Sequence, residues 1–158
     1  MTNEMKMRIA KDDDLAGLVS IAKRWIEEAD FARFGLDSML AKGLEDLSEL
    51  IAGAHSDLIM LMKDEQHIGF AGIRNFVSPL GRNLIAEEHY LYILPEHRGR
   101  GGLILLKAAR EWAQKNMCTH LILNASCLAS DMHDKVCKLY EYMGMSKFET
   151  SFICQVQE

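Results

Sequence analysis

The sequence predicts one mixed α/β domain, a sheet flanked by helices, with elements in the order β-α-α-β-β-β-α-β-α-β. Three observations carry this. Apolar residues recur at helical spacing in four stretches. Short apolar or alternating runs, bounded by turn residues, fill the space between them. A strand–helix–strand segment near the middle forms a crossover unit, which makes its two strands parallel neighbours. With 158 residues, 49 % of them hydrophobic, the chain has material for one sizeable core, and no repeat or Pro/Ser-rich linker divides it.

Met5 to Ala10 reads as the first strand, and Asp12 to Asp14 supply N-cap candidates for the helix that follows. Leu15, Leu18, Val19, Ala22, Trp25, Ile26 and Ala29 form one apolar stripe on that helix. A second amphipathic helix is expected from Leu36 to Ala54. Leu58 to Met62 and His67 to Val77 read as strands joined by the polar turn Lys63-Asp64-Glu65-Gln66, a hairpin. After a loop over Ser78 to Asn83, Ala86 to Leu94 is the fourth strand, ended by Pro95. Leu105, Leu106, Ala109, Trp112 and Ala113 mark a third helix, and Leu121 to Asn124 a fifth strand. His133, Val136, Cys137 and Tyr140 share a face of a fourth helix, with Gly144 as its C-terminal cap candidate. Phe148, Thr150, Phe152, Cys154 and Val156 alternate, the pattern of a last strand with one buried face.

The formal charge of −5 gives the chain as a whole no reason to favour nucleic acid or an anionic membrane, so an anionic ligand needs a local site. No apolar run approaches the roughly 20 residues of a membrane span, and the first residues lack the apolar stretch of a secretory signal. The four cysteines, Cys118, Cys127, Cys137 and Cys154, include no CxxC pair and read as reduced thiols of a cytoplasmic protein. Cys127, His133 and Cys137 are the residues to consider as zinc ligands, but their spacing fits no structural zinc pattern, so they read as a core thiol and helix residues and no metal is expected.

The chemistry concentrates in Ile93-Leu-Pro-Glu-His-Arg-Gly-Arg-Gly-Gly-Leu103, between a strand and a helix. Its glycines allow close backbone approach and left-handed dihedrals. The helix start beyond them offers unpaired N–H groups and the positive end of a dipole, which suits a pyrophosphate. Arg98 and Arg100 add charged donors. The competing reading is a tight turn with surface arginines. The pattern is neither GxGxxG nor a P-loop.

PEHRGRGG, followed by LLKAAREWA and later KLYEYMGM, resembles the GNAT superfamily of acetyl-CoA-dependent N-acetyltransferases. The resemblance covers essentially the whole chain and implies a mostly antiparallel sheet. The Ser78-Pro79-Leu80 loop and the EHRG…EWA stretch look most like phage and prophage-associated members. In the family's motif a small residue stands five positions after the first arginine, where this chain has Leu103. A turn one residue shorter would put Gly102 in that place.

The resemblance further implies that the backbone of Leu91, Tyr92 and Ile93 pairs with pantetheine, while Arg98, Gly99, Arg100, Gly101, Gly102 and Leu103 hold the pyrophosphate of acetyl-CoA. It places a general base at Glu87, six residues before Ile93. Glu87 shares strand parity with Leu91 and Ile93 unless a bulge intervenes, in which case Glu88 takes its place; His89 is the remaining alternative. Tyr140 matches the tyrosine that acts as general acid near the CoA sulfur, against the plainer reading of a core tyrosine. His133 stands where many relatives have a CoA-contacting asparagine, with a capping or surface histidine as the equal alternative, and Asn124, at the end of the fifth strand, is expected to contact the pantetheine. A covalent route through Cys137 is the lesser alternative to direct attack, since a thiol on an apolar stripe is usually inert.

Neutralising a lysine-like amine of pKa about 10.4 at pH 7 costs roughly 4.6 kcal/mol, so acetyl transfer calls for a base. The expected activity is acetyl transfer to a primary amine of a small molecule or peptide. The alternative is a catalytically silent domain that binds CoA or a protein partner. The acceptor site is expected from residues 29–36 and 77–85. Glu27, Glu28 and Asp30 there would attract a cation or be a solvated face, while Arg74 and Arg82 would favour an acidic acceptor. A homodimer is compatible with the family.

Overall fold

The structure, a computed structural model, describes residues 4–126 and 132–156. Strands β1 (Met5–Ile9), β2 (Ser56–Lys63), β3 (Gln66–Val77), β4 (Leu84–Ile93) and β5 (His120–Ile122) form one sheet in the order β1-β2-β3-β4-β5. Neighbours are antiparallel from β1 to β4, and β4 and β5 are parallel, as the crossover requires. The fold class is the one expected from the sequence.

Helices α1 (Leu15–Glu28) and α2 (Leu40–Ala52) cover one face of the sheet. Their stripe residues Leu18, Ile21, Ala22, Leu47 and Leu50 meet Leu58, Met60, Phe70 and Tyr92. Helix α3 (Arg98–Lys115) covers the other face, where Leu105, Ala109 and Trp112 pack on Ile59, Leu61, Ile73 and Ile93. Trp112 buries its ring there and donates its Nε1–H to Asp57 Oδ2 at 2.7 Å, so the indole nitrogen is satisfied. Helix α4 (His133–Tyr142) ends as expected at Gly144, whose φ of +82° few other residues adopt.

The β2–β3 hairpin turns through Asp64 and Glu65, both at positive φ (49° and 63°). That geometry matches the twist of the strands, though neither residue is the glycine or asparagine such turns favour. Two expectations change. Helix α2 begins at Leu40 rather than Leu36, because the exposed Leu36 and Met39 lie outside its stripe. The alternating run Phe148–Val156 forms no strand: residues 146–156 carry no regular secondary structure, are exposed and make no hydrogen bond to the rest of the described chain.

Candidate functional site

Strand β4 pairs with β3 continuously except at one point. Gly72 faces Tyr90 and Ile73 faces Glu88, so His89 is an extra residue, a β-bulge. The bulge reverses side-chain parity. Tyr90 and Tyr92 point toward α1 and α2, Leu91 and Ile93 toward α3, and Glu88 joins Ala86 on the α3 side. Glu87 is thereby turned to the opposite face, where it meets Arg74 at 3.4 Å.

The parallel ladder between β4 and β5 holds for three pairs, Ile85–His120, Ala86–Leu121 and Glu87–Ile122, and then the strands part. Asn124 spans the point of parting. Its backbone N–H donates to Glu88 Oε2 at 3.0 Å, and its Nδ2 donates to Glu88 O at 2.7 Å. Its carbonyl accepts the Tyr140 hydroxyl at 3.1 Å. Glu88 is 4 % exposed, and this burial pushes its carboxyl up to about 7 despite the Asn124 N–H, with the Glu87 charge adding to the rise. Burial, the Glu88 charge and Cys137 together raise Tyr140 well above the usual phenol range, so it stands as a neutral donor.

Beyond the bulge, the outer edge of β4 is open. Leu94 N–H bonds to Ile68 O, and alternation along an antiparallel ladder turns the groups of Tyr92 to β3 and those of Leu91 and Ile93 outward. Ile93 C=O accepts Arg98 Nε–H at 3.0 Å. The backbone groups of Leu91 and the N–H of Ile93 remain to pair with an extended ligand. Tyr92 does not join them: its ladder groups face β3, and its hydroxyl donates to Glu28 Oε2 at 2.8 Å.

The glycine turn is helical. A single 3-10 turn over Pro95–His97 leads directly into α3 at Arg98, so Gly99, Arg100, Gly101, Gly102 and Leu103 lie in its first two turns. None of these glycines has positive φ, which corrects the left-handed turn expected from the sequence. Gly101 serves close approach instead: a Cβ there would sit 2.9 Å from Leu61 Cδ2. No side chain caps the start of α3 and its first turn holds no acidic residue, so its leading N–H groups and dipole suit an anion. Arg100 and Leu103 are exposed there.

Arg98 is engaged elsewhere. Besides Ile93 O, its guanidinium bonds to Glu28 Oε1 and lies over the Tyr92 ring at 5.7 Å. Glu28, which read as part of a solvated acidic face, thus joins the end of α1 to the turn. A partner 70 residues away leaves no local signal in the sequence.

His133 sits at the start of α4, Nδ1 to Ala125 O at 3.2 Å and Nε2 near Cys137 Sγ at 3.7 Å. Donating to that carbonyl requires the proton on Nδ1. Cys127, one of the three residues considered for zinc, lies outside the described residues; among the described residues no group of three metal-binding side chains gathers.

On the α2 face a cleft of about 410 Å³ is lined by Asp46, Glu49, His55, Arg74, His89 and Tyr90. Tyr90 donates to Asp46 Oδ2 at 3.0 Å, and burial with that bond pushes its hydroxyl up to about 12. The cleft lies beside the bulge and is lined by neither residues 29–36 nor 77–85.

Residues 23–145 match the acetyltransferase (GNAT) family. No curated protein matches the chain significantly. Among solved structures, a ribosomal-protein-alanine N-acetyltransferase from Brucella melitensis biovar Abortus 2308 is 16 % identical, with TM-score 0.70 over 96 % of this chain and 98 % of that one. An aminoglycoside N-acetyltransferase in complex with CoA is 17 % identical, with TM-score 0.74 over 98 % and 96 %. An acetyltransferase from Trypanosoma brucei is 16 % identical, with TM-score 0.70 over 97 % and 100 %. At these identities the likeness is one of fold.

Proposed function

The chain belongs to the acetyltransferase (GNAT) family, and on that footing we propose that it moves the acetyl group of acetyl-CoA directly to a primary amine. The observation that carries this is the parting of β4 from β5, where Glu88 and the Tyr140 hydroxyl are both tied to Asn124. The outward backbone of Leu91 and Ile93 receives pantetheine, and the uncapped start of α3, Gly99 to Gly102, receives the pyrophosphate, with Arg100 beside it. Asn124 and His133 border the same opening. An aminoglycoside acetyltransferase of this fold holds CoA, which supports the cofactor assignment.

In the reaction the amine lone pair attacks the thioester carbonyl carbon. A C–N bond forms, the C–S bond breaks, the amine proton passes to a carboxylate and the thiolate takes a proton from Tyr140. We assign the base to Glu88 in preference to Glu87. A carboxyl at about 7 is matched to proton transfer near neutral pH, whereas the Glu87 carboxylate faces the Arg74 guanidinium. Glu87 is the second candidate, because its ion-pair partner Arg74 lines the α2-side cleft. Direct attack is preferred to a Cys137 intermediate, since a part-buried thiol on the inner stripe of α4 is usually inert.

The acceptor is a small-molecule or peptide amine; the cleft of Asp46 and Glu49 opens on the face of Glu87, so it serves the amine only where Glu87 is the base. A cytoplasmic location fits the free thiols of Cys118, Cys137 and Cys154. No helix among the described residues is long and apolar enough to cross a membrane. A phage or prophage kinship rests on the loop and turn sequences alone. A silent CoA-binding or partner-binding domain is the second reading, favoured by the commitment of Arg98 to Glu28 and Ile93. The test is thiol release from acetyl-CoA over peptide N-termini, lysine, polyamines, aminoglycosides and small amines. Turnover with one class, slowed in Tyr140→Phe, supports the enzyme. Acetyl-CoA that raises the melting temperature without any turnover supports the silent domain. No thermal shift at all removes the cofactor assignment.

A further inference from the structure

The arginine that opens α3 is held by α1. Arg98 is the first residue of α3, so its side chain is rooted where the free N–H groups and the positive end of the dipole lie. Its guanidinium is nevertheless bonded to Ile93 O through Nε at 3.0 Å and to Glu28 Oε1 through Nη2. A guanidinium carries five N–H donors, and these bonds use two of them.

Glu28 stands against the preference of its own helix. It is the last residue of α1, where the carbonyl end of the dipole disfavours a carboxylate, and the last turn holds no basic residue to offset it. Its partners come from β4 and α3: Tyr92 donates to Oε2 at 2.8 Å and Arg98 to Oε1. One turn earlier, Arg24 pairs with Glu96 at 3.1 Å, so α1 is fastened to the Pro95–His97 turn independently of Glu28. The Arg24–Glu96 side chains are about half exposed, whereas those of Arg98 and Glu28 are 24 % and 30 % exposed. The inner pair is therefore the less screened of the two.

A carboxylate oxygen on a guanidinium makes the same charge-assisted contact as a phosphate oxygen. An anion at the start of α3 thus competes with Glu28 for Arg98. Either the guanidinium leaves Glu28, or two anions share one cation; both outcomes weaken the anion's hold. We propose that Glu28 is a positioning residue that restrains the cofactor: it keeps Arg98 on β4 and sets the affinity for CoA below what an unpaired Arg98 would give. A restrained affinity suits a transferase, which must release CoA after each transfer. The inference rests on the acetyl-CoA reading of the turn.

The test uses the full chain, calorimetric titration with CoA, and melting without ligand. Glu28→Gln keeps the shape and an acceptor for the Tyr92 hydroxyl, and it removes the charge that holds Arg98. The variant should melt at a lower temperature yet bind CoA about 5–10-fold more tightly. A merely structural glutamate would move both readings toward loss. Arg98→Ala closes the cycle: adding Glu28→Gln to it should change the CoA Kd by less than about twofold, because the effect runs through the guanidinium. Unchanged or weaker CoA binding by Glu28→Gln overturns the proposal, as does equal tightening in the Arg98→Ala background. Absence of CoA binding in both the unaltered protein and Glu28→Gln overturns the cofactor reading itself, a result distinct from binding that ignores Glu28.

Discussion

Replacing Glu88 by glutamine removes one ionisation while keeping the shape and the acceptor for the Asn124 N–H. An unfolded glutamate loses its proton near 4.5, and the folded Glu88 near 7. Between those values the folded chain holds more protons than the unfolded one, so this group lowers stability as pH rises from about 4.5 to about 7, and its cost is complete above that. At about 1.36 kcal/mol per pH unit the difference amounts to ~3 kcal/mol. In a domain of this size that corresponds to about 6–12 °C in melting temperature. The unaltered protein should therefore lose thermal stability between pH 5 and pH 8 relative to Glu88→Gln, and the variant should be the more stable at pH 8. Its acetyl transfer at saturating amine should fall by about 10²–10⁴-fold, the usual worth of a positioned base. Differential scanning fluorimetry across pH and a thiol-release assay read both effects. Parallel melting curves for the two proteins would refute the burial argument. A variant that turns over normally would refute Glu88 as the base, leaving Glu87→Gln as the next protein to assay.

Arg98→Ala should cost about 2 kcal/mol in urea unfolding, because it leaves Glu28 Oε1 and the Ile93 carbonyl without their guanidinium donor; an unchanged midpoint would show that the contact contributes nothing. Gly101→Val should cost about 1–3 kcal/mol, since even the first added carbon meets Leu61. Gly102→Ala, whose nearest neighbour would be Ile93 Cδ1 at 3.9 Å, should be neutral or stabilising; equal losses in the two would argue against close approach as the reason for Gly101. Glu65→Gly should stabilise the hairpin by about 1 kcal/mol by relieving a positive φ of 63°, read as a higher urea midpoint.

The parts of the fold that the sequence made legible are those set by local spacing. The stripes of α1 and α3, the Asp64-Glu65 turn and the Gly144 stop each follow from neighbours within a few residues. The site was legible in position and less so in detail. Glu87, Glu88 and His89 are consecutive polar residues, and nothing in their order says which one the strand will bulge over. The bulge is set by pairing with Gly72 and Ile73, and it decides which carboxylate is buried. The Arg98–Glu28 contact depends on how α1 lies across the sheet and has no local trace. The alternation from Phe148 to Val156 predicted a last strand that the described residues do not form, since alternation alone supplies no neighbouring edge to pair with.

The short ladder between β4 and β5 also sets how the sheet opens. Three residue pairs and the Asn124 link hold β5, while β3 is bonded along most of its length on both sides. Amide deuterium uptake should therefore rank the strands, with His120 to Ile122 exchanging through a local excursion that leaves the β2–β3–β4 meander closed. Such a gradient places the molecule's softest seam along the line where β4 and β5 separate.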